Sequence, residues 1–175
     1  MFINTLESDP FFFVCVVVTV VVSIVLHELA HGAAAIWQGD DTPITLGHMT
    51  INPVVHMGWF SLLLLATVGI AYGRMPVNPA RFRSRFGDAM VAAAGPITNL
   101  LLALLSLTAL GLWLRFQTGS VSSFQVNAKD FLWNFGYINV TLAGFNLIPV
   151  PPLDGSAILA DFSPEYARVA RNPQH

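Results

Sequence analysis

The stretch "FFFVCVVVTVVVSIVLHELAHG" (residues 11–32) decides the fold of this chain. Its first 16 residues carry no charge, and the apolar run continues to residue 37. At about 1.5 Å per residue, a helix of this length crosses the roughly 30 Å hydrocarbon core of a bilayer. Three ionisable residues, His27, Glu28 and His31, lie inside it. Because ionisable groups at membrane depth are costly, they indicate function, and the stretch predicts a membrane-spanning helix that carries a polar site.

The composition favours an integral membrane protein. The chain of 175 residues is 54% hydrophobic and only 10% charged, whereas soluble domains carry about 25% charged residues. Nothing in it indicates a nucleic-acid partner. Cys15 is the only cysteine, so it forms no internal disulfide and is expected to be a small core thiol. The N-terminal "MFINTLESDP" lacks the Lys or Arg of a signal peptide, so the first segment is expected to be retained.

The hydrophobic pattern predicts an all-α membrane protein with a three-span core. The predicted spans are residues 11–37, 86–114 and 131–148, within a membrane-embedded core of residues 1–160. Residues 58–73 form a shorter apolar stretch that is expected to be re-entrant or interfacial. Residues 42–56 place β-branched residues between turn signals, which favours a short cytoplasmic β-hairpin. Residues 161–175 are predicted to be a polar C-terminal tail.

The pattern His-Glu-x-x-His predicts a metal site on the first helix. His27 and His31 are four residues apart, so both imidazoles lie on one face of a helix and can reach one metal ion. Zn²⁺ is the expected ion because it accepts neutral imidazole and carboxylate in a tetrahedral site with one open position. Glu28 lies beside the site and can take a proton from a water molecule that the metal activates.

A catalytic zinc ion usually has three protein ligands, so a third ligand is expected far along the chain. Asp154 stands out because it follows a Pro-rich, non-helical stretch at the end of a span. Irregular backbone at membrane depth is tolerated only where it lines a cavity or packs inside protein. An ordinary turn aspartate at the membrane surface is the alternative. His48 and His56 are expected to make local hydrogen bonds, and the remaining candidates are Asp161 and Glu165.

Three separate motifs give the chain a specific resemblance. "HELAH", "AAGPITNLLLA" (residues 93–103) and "FNLIPVPPLDG" (residues 145–155) resemble, in order, the motifs of the site-2 protease family of intramembrane zinc metalloproteases. "LGHMTINPVVH" (residues 46–56) and "MPVNPARFR" (residues 75–83) are further similar to its compact prokaryotic branch. The sequence shows no PDZ or nucleotide-sensing domain, and no hydrophobic span after the aspartate motif, which most members have.

The resemblance implies a function and a set of site residues. His27, His31 and Asp154 would bind one Zn²⁺ ion, and Glu28 would be the catalytic base. Asn146 would lie beside the site and help to hold substrate; Asn99 would either do the same or pair helix backbones. The implied activity is regulated intramembrane proteolysis, in which the enzyme cuts the transmembrane segment of a membrane-protein substrate, most simply in a prokaryotic cell (inner) membrane.

The need for one shared metal ion constrains the topology. Four crossings would place the histidines and Asp154 on opposite sides of the bilayer, whereas three crossings bring them together. With three crossings, the positive charges divide 6 to 2 in favour of the side of the site, and the positive-inside rule then places the site toward the cytoplasm. The first group is Arg74, Arg81, Arg83, Arg85, Arg168 and Arg171, and the second is Arg115 and Lys129.

Two other classes of protein could use the same ligands. A membrane metal transporter or channel could line its path with the two histidines and Asp154, and a non-catalytic scaffold could retain zinc for folding. A transporter typically needs further polar residues along its route, of which the remaining spans have few. Glu28 beside the ligands favours hydrolysis. The identity of the substrate and the oligomeric state stay open.

Overall fold

The computed structural model describes residues 1–118 and 122–170, and within them the chain forms eight α-helices and no β-strand. The prediction of an all-α fold is confirmed. The helices are α1 (Thr5–Ser8), α2 (Pro10–Gln38), α3 (Thr42–Thr45), α4 (Pro53–Val68), α5 (Gly87–Phe116), α6 (Ser123–Asn146), α7 (Asp154–Phe162) and α8 (Pro164–Ala170).

The helices α2 and α5 are the two in the described part of the chain that are both long and apolar enough to cross a membrane. α2 has Pro10 in its first turn, where a missing N–H costs nothing, and the Asp9 carboxylate accepts a 2.9 Å hydrogen bond from Phe12 N. It ends at Gly39, whose φ of 100° lies in the left-handed region. Both helices match the predicted spans to within a few residues.

The helix α6 begins earlier than predicted, at Ser123 rather than at residue 131. Ser122 and Gln125 form a reciprocal capping box that starts the helix among polar residues. α6 is long enough to span, but the polar residues of its first turns, among them Lys129 and Asp130, keep it out of the set of strongly apolar helices. The prediction of three spans is therefore not supported by composition.

Each long helix runs antiparallel to the next one in the sequence: α5 against α2, and α6 against α5. His27 and His31 on α2 contact Asn99 and Val91 on α5, so the residue numbers run in opposite directions. Asn99 on α5 contacts Asn139 on α6, and Ser106 contacts Leu132. The C-terminal end of α2, the N-terminal end of α5 and the C-terminal end of α6 therefore lie on the same side. We call this side the motif end.

The predicted β-hairpin at residues 42–56 is wrong. The segment contains α3, a turn and the start of α4. Pro43 and Pro53 each stand in the first turn of a helix, and the Asn52 side chain caps α4 by accepting a 3.0 Å hydrogen bond from Val54 N. Proline and the cap favour helix starts here, and they outweigh the preference of the β-branched residues for strands.

The segment after α4 returns to the point where α4 began. Arg74 N donates a 3.0 Å hydrogen bond to the carbonyl of His56, and the Ser61 hydroxyl donates a 2.7 Å bond to Tyr72 O. Met57 and Leu65 of α4 pack in the core with residues of α2. The segment leaves the start of α4 and returns to it, as a re-entrant segment at residues 58–73 would. Its place in the membrane stays a prediction.

The C-terminal helices pack against the loop that carries the PPLDG motif. The Tyr166 hydroxyl lies 2.8 Å from Pro149 O and 2.9 Å from Ser156 Oγ, so it donates to the carbonyl and accepts from the serine. The predicted boundary at residue 160 falls inside α7. The division into core and tail stays a prediction, and residues 171–175 of the tail, with Arg171, lie outside the described residues.

Polar side chains lie inside the bundle and large apolar ones face outward. Ser23, Asn99 and Asn139 are completely buried, whereas Trp59 is 76% exposed and Leu105 is 67% exposed. A soluble domain does not expose so much large apolar surface, whereas lipid solvates it. Together with the two apolar helices, this pattern defines an integral membrane protein.

Candidate metal centre

Two histidines on α2 form the first half of the centre. His27 and His31 are both buried, and their Nε2 atoms lie 2.9 Å apart because a spacing of four residues places them on one face of the helix. The rings meet edge to face, with centroids 4.6 Å apart. The imidazoles therefore point their Nε2 atoms at one common position.

Asp154, the first residue of α7, completes the centre from the far end of the sequence. Its Oδ2 lies 3.2 Å from His27 Nε2, and its Oδ1 lies 3.4 Å from His31 Nε2. Within the residues that the structure describes, these three form the group whose ligand atoms could hold a metal ion. The fold thus brings together the three residues that the sequence put forward as ligands.

The hydrogen bonds on the far side of each imidazole fix its protonation. His31 Nδ1 lies 2.7 Å from the carbonyl oxygen of Val91, which can only accept, so Nδ1 carries the proton. His27 Nδ1 lies 2.6 Å from Asn99 Oδ1, which is likewise an acceptor. In the neutral form of each ring, the Nε2 atom then has a bare lone pair aimed at the common position.

The donor set fits a zinc ion. Two bare Nε2 lone pairs and a carboxylate face one another, and Asp154 Oδ2 is buried without a hydrogen-bond partner. A cation bound between them would satisfy all of these acceptors at once. Tetrahedral zinc with bonds of roughly 2.0–2.1 Å separates its ligands by roughly 3.3–3.4 Å. The two separations between imidazole and carboxylate, 3.2 and 3.4 Å, lie near that value, and the separation of 2.9 Å between the two Nε2 atoms is shorter.

Two glycines make room for the centre. A Cβ on Gly95 of α5 would lie 2.5 Å from Nε2 of both His27 and His31. A Cβ on Gly73 would lie 2.6 Å from the Glu28 Oε1 atom. Real Cβ atoms do not approach so closely, so α5 can pack on the imidazoles, and the returning segment on the Glu28 carboxylate, only because these positions lack side chains.

A cavity of about 710 Å³ opens onto the metal centre. Glu28 lines it and is itself only 6% exposed. Asn146, the last residue of α6, also lines it, with its Nδ2 donating a 3.0 Å hydrogen bond to Leu142 O. The other lining residues are largely apolar and include Tyr72, Met75, Phe145 and Pro152. The space therefore suits an apolar chain segment brought up to a polar centre.

The other sequence candidates have different partners. The Asp161 carboxylate accepts a 2.7 Å hydrogen bond from Ala89 N, at the start of α5. His56 Nε2 donates to Thr50 O at 2.6 Å, and His48 Nδ1 lies 3.1 Å from Leu46 O. Glu165 is exposed on α8. In the structure, the contacts of His48 and His56 are local, as their predicted role requires.

Four further residues that shape the centre were not predicted from the sequence: Ser23, Gly73, Gly95 and Asn139. Ser23 and Asn139 are polar residues within apolar helical stretches, and membrane depth makes such residues a signal in themselves. Gly95 lies in the AAGPITNLLLA motif and Gly73 in none. The sequence did not predict the role of either glycine, because the contact that each one permits exists only once distant helices have packed.

A buried His-Glu-x-x-His helix with a distant carboxylate, inside a membrane bundle, is the arrangement expected of a metallopeptidase of the membrane. The model of peptidase family M50 matches residues 15–125 and 115–174. The chain therefore belongs to peptidase family M50, and the resemblance drawn from its motifs is confirmed. Zinc, the expected cofactor, is also the metal in the names of similar proteins.

The similar proteins bear names of zinc metalloproteases. YwhC of Bacillus subtilis, named as a candidate zinc metalloprotease, is 36% identical over 154 residues, which are 87% of this chain and 70% of that protein. Rip2 of Mycolicibacterium smegmatis, named likewise, is 29% identical over 89% of this chain and 60% of its own. The zinc metalloprotease MJ0392 of Methanocaldococcus jannaschii is 27% identical over 89% of this chain and 36% of its own. No solved structure matches the chain at a comparable level.

Proposed function

We propose that this protein is a zinc-dependent endopeptidase that hydrolyses peptide bonds in or near the transmembrane helices of other membrane proteins. The observation that carries the proposal is the convergence of His27, His31 and Asp154 on one position beside a cavity that Glu28 also lines. The chain spans 70% of the length of YwhC and 60% of the Rip2 protein of M. smegmatis. The proposal therefore rests on the residues of this chain and not on the names of these relatives.

Each residue of the centre has a role in the proposed reaction. His27, His31 and Asp154 hold the metal ion, which when bound polarises the scissile carbonyl group and makes a water molecule more acidic. Glu28 takes a proton from the attacking water as its oxygen bonds to the carbonyl carbon. When the carbon–nitrogen bond breaks, Glu28 returns that proton to the departing amine, so that no net proton is gained or lost.

Asn146 is placed to position the substrate. It lines the cavity at the end of α6, and its side-chain amide offers donors to a carbonyl oxygen. A hydrogen bond to the oxygen on which negative charge develops would favour the transition state over the bound substrate. Asn99 has a different position: it contacts His27 Nδ1 behind the ring, away from the imidazole nitrogen that faces the metal position.

The substrate must unwind before it is cut, because a helix hides its carbonyl groups in its own hydrogen bonds. The cavity of about 710 Å³ is bordered by the non-helical residues 71–75 and by the PPLDG loop. A segment of substrate in an extended form can lie in such a cavity with its apolar side chains against the apolar lining. The polar centre then meets the exposed carbonyl group.

The path of the three long helices and the distribution of positive charge support a topology in which the motif end faces the cytoplasm of a prokaryotic cell. The chain reaches the motif end at the C-terminus of α2 and again at the C-terminus of α6. Of the seven positively charged residues that the structure describes, five belong to segments at that end, and the other two, Arg115 and Lys129, lie near the opposite one. We place the third crossing in α6, shielded on one side by α5 and α2.

Thiol labelling tests this orientation. A cysteine introduced by Gln117→Cys, in a Cys15→Ser background, lies at the end opposite the motifs. In intact cells it should react with a membrane-impermeant maleimide, whereas an Arg81→Cys variant should react only after the cells are opened. The reverse pattern would overturn the cytoplasmic orientation.

Cleavage by matched variants tests the function. The native chain and the Glu28→Gln variant are co-expressed with a panel of single-span membrane proteins, and the fragments and the zinc content are measured. We expect cleavage of at least one substrate by the native chain, none by the variant, and equal zinc in both. Cleavage that survives Glu28→Gln would refute the role of Glu28. A metal transporter predicts altered zinc flux instead, and a scaffold predicts no difference in either.

A further inference from the structure

Asn139 on α6 extends the polar contacts of the metal centre across the whole bundle. Asn99 Nδ2 donates a 2.8 Å hydrogen bond to Asn139 Oδ1. Asn139 Nδ2 in turn donates to Ser23 Oγ on α2 and to Phe135 O on its own helix, both at 2.9 Å. Ser23, Asn99 and Asn139 are all completely buried. A continuous chain of hydrogen bonds therefore joins His27 to a backbone carbonyl on α6.

This chain has only one consistent direction. The Phe135 carbonyl can only accept, so the Asn139 amide must turn its NH₂ group toward it and its oxygen toward Asn99. Asn99 must then present its NH₂ group to Asn139 and its oxygen to His27. An oxygen at that position requires a proton on His27 Nδ1, which leaves Nε2 bare. The carbonyl on α6 thus fixes the tautomer of a histidine on α2.

We propose that Asn139 is a positioning residue for zinc binding, which holds His27 in its Nδ1–H tautomer through the side chain of Asn99. The inference rests on the metal centre proposed above. It assigns to a residue outside all three motifs the task of orienting a ligand. Groups beyond the ligands fix ring orientation and tautomer in metal sites, and their loss typically costs about 10- to 100-fold in metal affinity.

Burial in the bundle strengthens this control. An Asn99 amide turned the wrong way would face its NH₂ group toward the His27 N–H, and two donors would meet without an acceptor. Because Asn99 is completely buried, that arrangement leaves polar groups unpaired, and it is costly for each one. The flipped state is therefore rare only as long as Asn139 supplies an acceptor to Asn99.

Helix pairing is the competing role, because polar side chains also join transmembrane helices without any effect on a metal. Ser106 provides the matched control. Its hydroxyl donates a 2.7 Å hydrogen bond to Leu132 O across the same α5–α6 interface, away from the metal centre. If Asn139 served only to join the helices, its loss and the loss of the Ser106 hydroxyl would have similar consequences for zinc binding.

Two substitutions of nearly equal shape separate the roles. Asn139→Leu removes the acceptor, whereas Asn139→Asp, buried as the neutral acid, keeps an oxygen where Asn99 needs one and an O–H group for the Phe135 carbonyl. The native chain, both variants, Asn99→Leu and Ser106→Ala are purified in detergent, and the melting temperature of each is recorded. The zinc dissociation constant is then measured by competition with a chelator. In metal-free samples, ¹⁵N spectra of the imidazole rings report which nitrogen of His27 carries the proton.

The expected results are specific. Asn139→Leu should weaken zinc binding about tenfold and let His27 populate the Nε2–H tautomer, and Asn99→Leu should weaken it at least as much. Asn139→Asp and Ser106→Ala should keep native affinity and the Nδ1–H tautomer.

Native affinity in Asn139→Leu, or equal losses in the Leu and Asp variants, would overturn the inference. Failure of the native chain to bind zinc would instead overturn the metal centre. If Asn139→Leu does not fold, Asn99→Leu still decides, because native affinity and the native His27 tautomer in that variant would overturn the inference.

Discussion

The carboxylate of Asp161 accepts a 2.7 Å hydrogen bond from the backbone N–H of Ala89, at the start of α5. The same helix, α7, carries Asp154 two turns earlier. A carboxylate at a helix N-terminus satisfies an unpaired N–H group and interacts favourably with the helix dipole. Asp161 therefore fixes α7 against α5, and with it the position of Asp154 opposite the two imidazoles.

Removal of this anchor should weaken the site without abolishing it. We expect Asp161→Ala to lower the free energy of unfolding by about 1 kcal/mol, the usual effect of a lost helix cap, and to weaken zinc binding moderately. Asp154→Ala should instead remove a ligand and abolish zinc binding. Thermal unfolding in detergent and chelator competition measure the two effects. Equal zinc loss in both variants would contradict the distinction.

Gly95→Ala should abolish zinc binding. The added Cβ would lie 2.5 Å from the Nε2 atoms of both histidines, so either α5 moves away or the rings turn. Gly111 lies on the same helix, and a Cβ there would meet nothing within 4 Å. Gly111→Ala should keep full zinc and stabilise the helix by roughly 0.5–1 kcal/mol. Zinc content after purification is the measurement, and full occupancy in Gly95→Ala would refute the close approach.

Gly73→Ala should separate catalysis from metal binding. The new Cβ would press on the Glu28 carboxylate and leave the ligand atoms untouched, so cleavage should fall by at least tenfold while the zinc content stays native. Gly144→Ala on α6 is the control, because a Cβ there also has open space. Peptide cleavage and metal content are measured on the same samples. Native activity in Gly73→Ala would show that Glu28 does not need this space.

Asp40 should make stability depend on acid pH. Burial disfavours its charge, but hydrogen bonds from Thr42 and Asn78, together with the charge of Arg81, outweigh burial and lower the pKa of Asp40 below its usual range. A carboxylate whose pKa is lower in the folded state stabilises the protein above the unfolded pKa of about 3.9. That stabilisation is lost as the pH falls through the folded value.

Melting temperatures between pH 3 and pH 7 test the role of Asp40. The native protein should lose stability toward the acid end of this range. In Asp40→Asn this part of the pH dependence should be reduced, and the melting temperature at pH 7 should be lower. Asp9, which caps the first turn of α2 at the surface, provides a control in Asp9→Asn. Parallel curves for the native protein and Asp40→Asn would contradict the assignment.

The sequence predicted the long helices and the residues of the centre because both leave local signals. Uninterrupted apolar runs predict α2 and α5, and the spacing of His27 and His31 places them on one face. Asp154 needed more than spacing, since a turn aspartate looks the same in sequence, and the family resemblance made the choice. The structure then brings its carboxylate to the two imidazoles.

The remaining features depend on contacts between distant segments. At residues 42–56 the β-branched residues suggested strands, but Pro43 and Pro53 begin helices there. The start of α6 was predicted too late because its capping box lies in a polar stretch that hydropathy ignores. Asn139 reaches Ser23 across 116 positions of sequence, and no local pattern indicates such a pair.

The most direct test of the account is the zinc content of the purified protein with single ligands removed. The native chain should hold one zinc ion per molecule. His27→Ala, His31→Ala and Asp154→Ala should each hold almost none, and Glu165→Gln, which changes an exposed carboxylate on α8, should hold one. Full zinc occupancy in Asp154→Ala would contradict the central claim that residues from α2 and α7 together form a single metal centre.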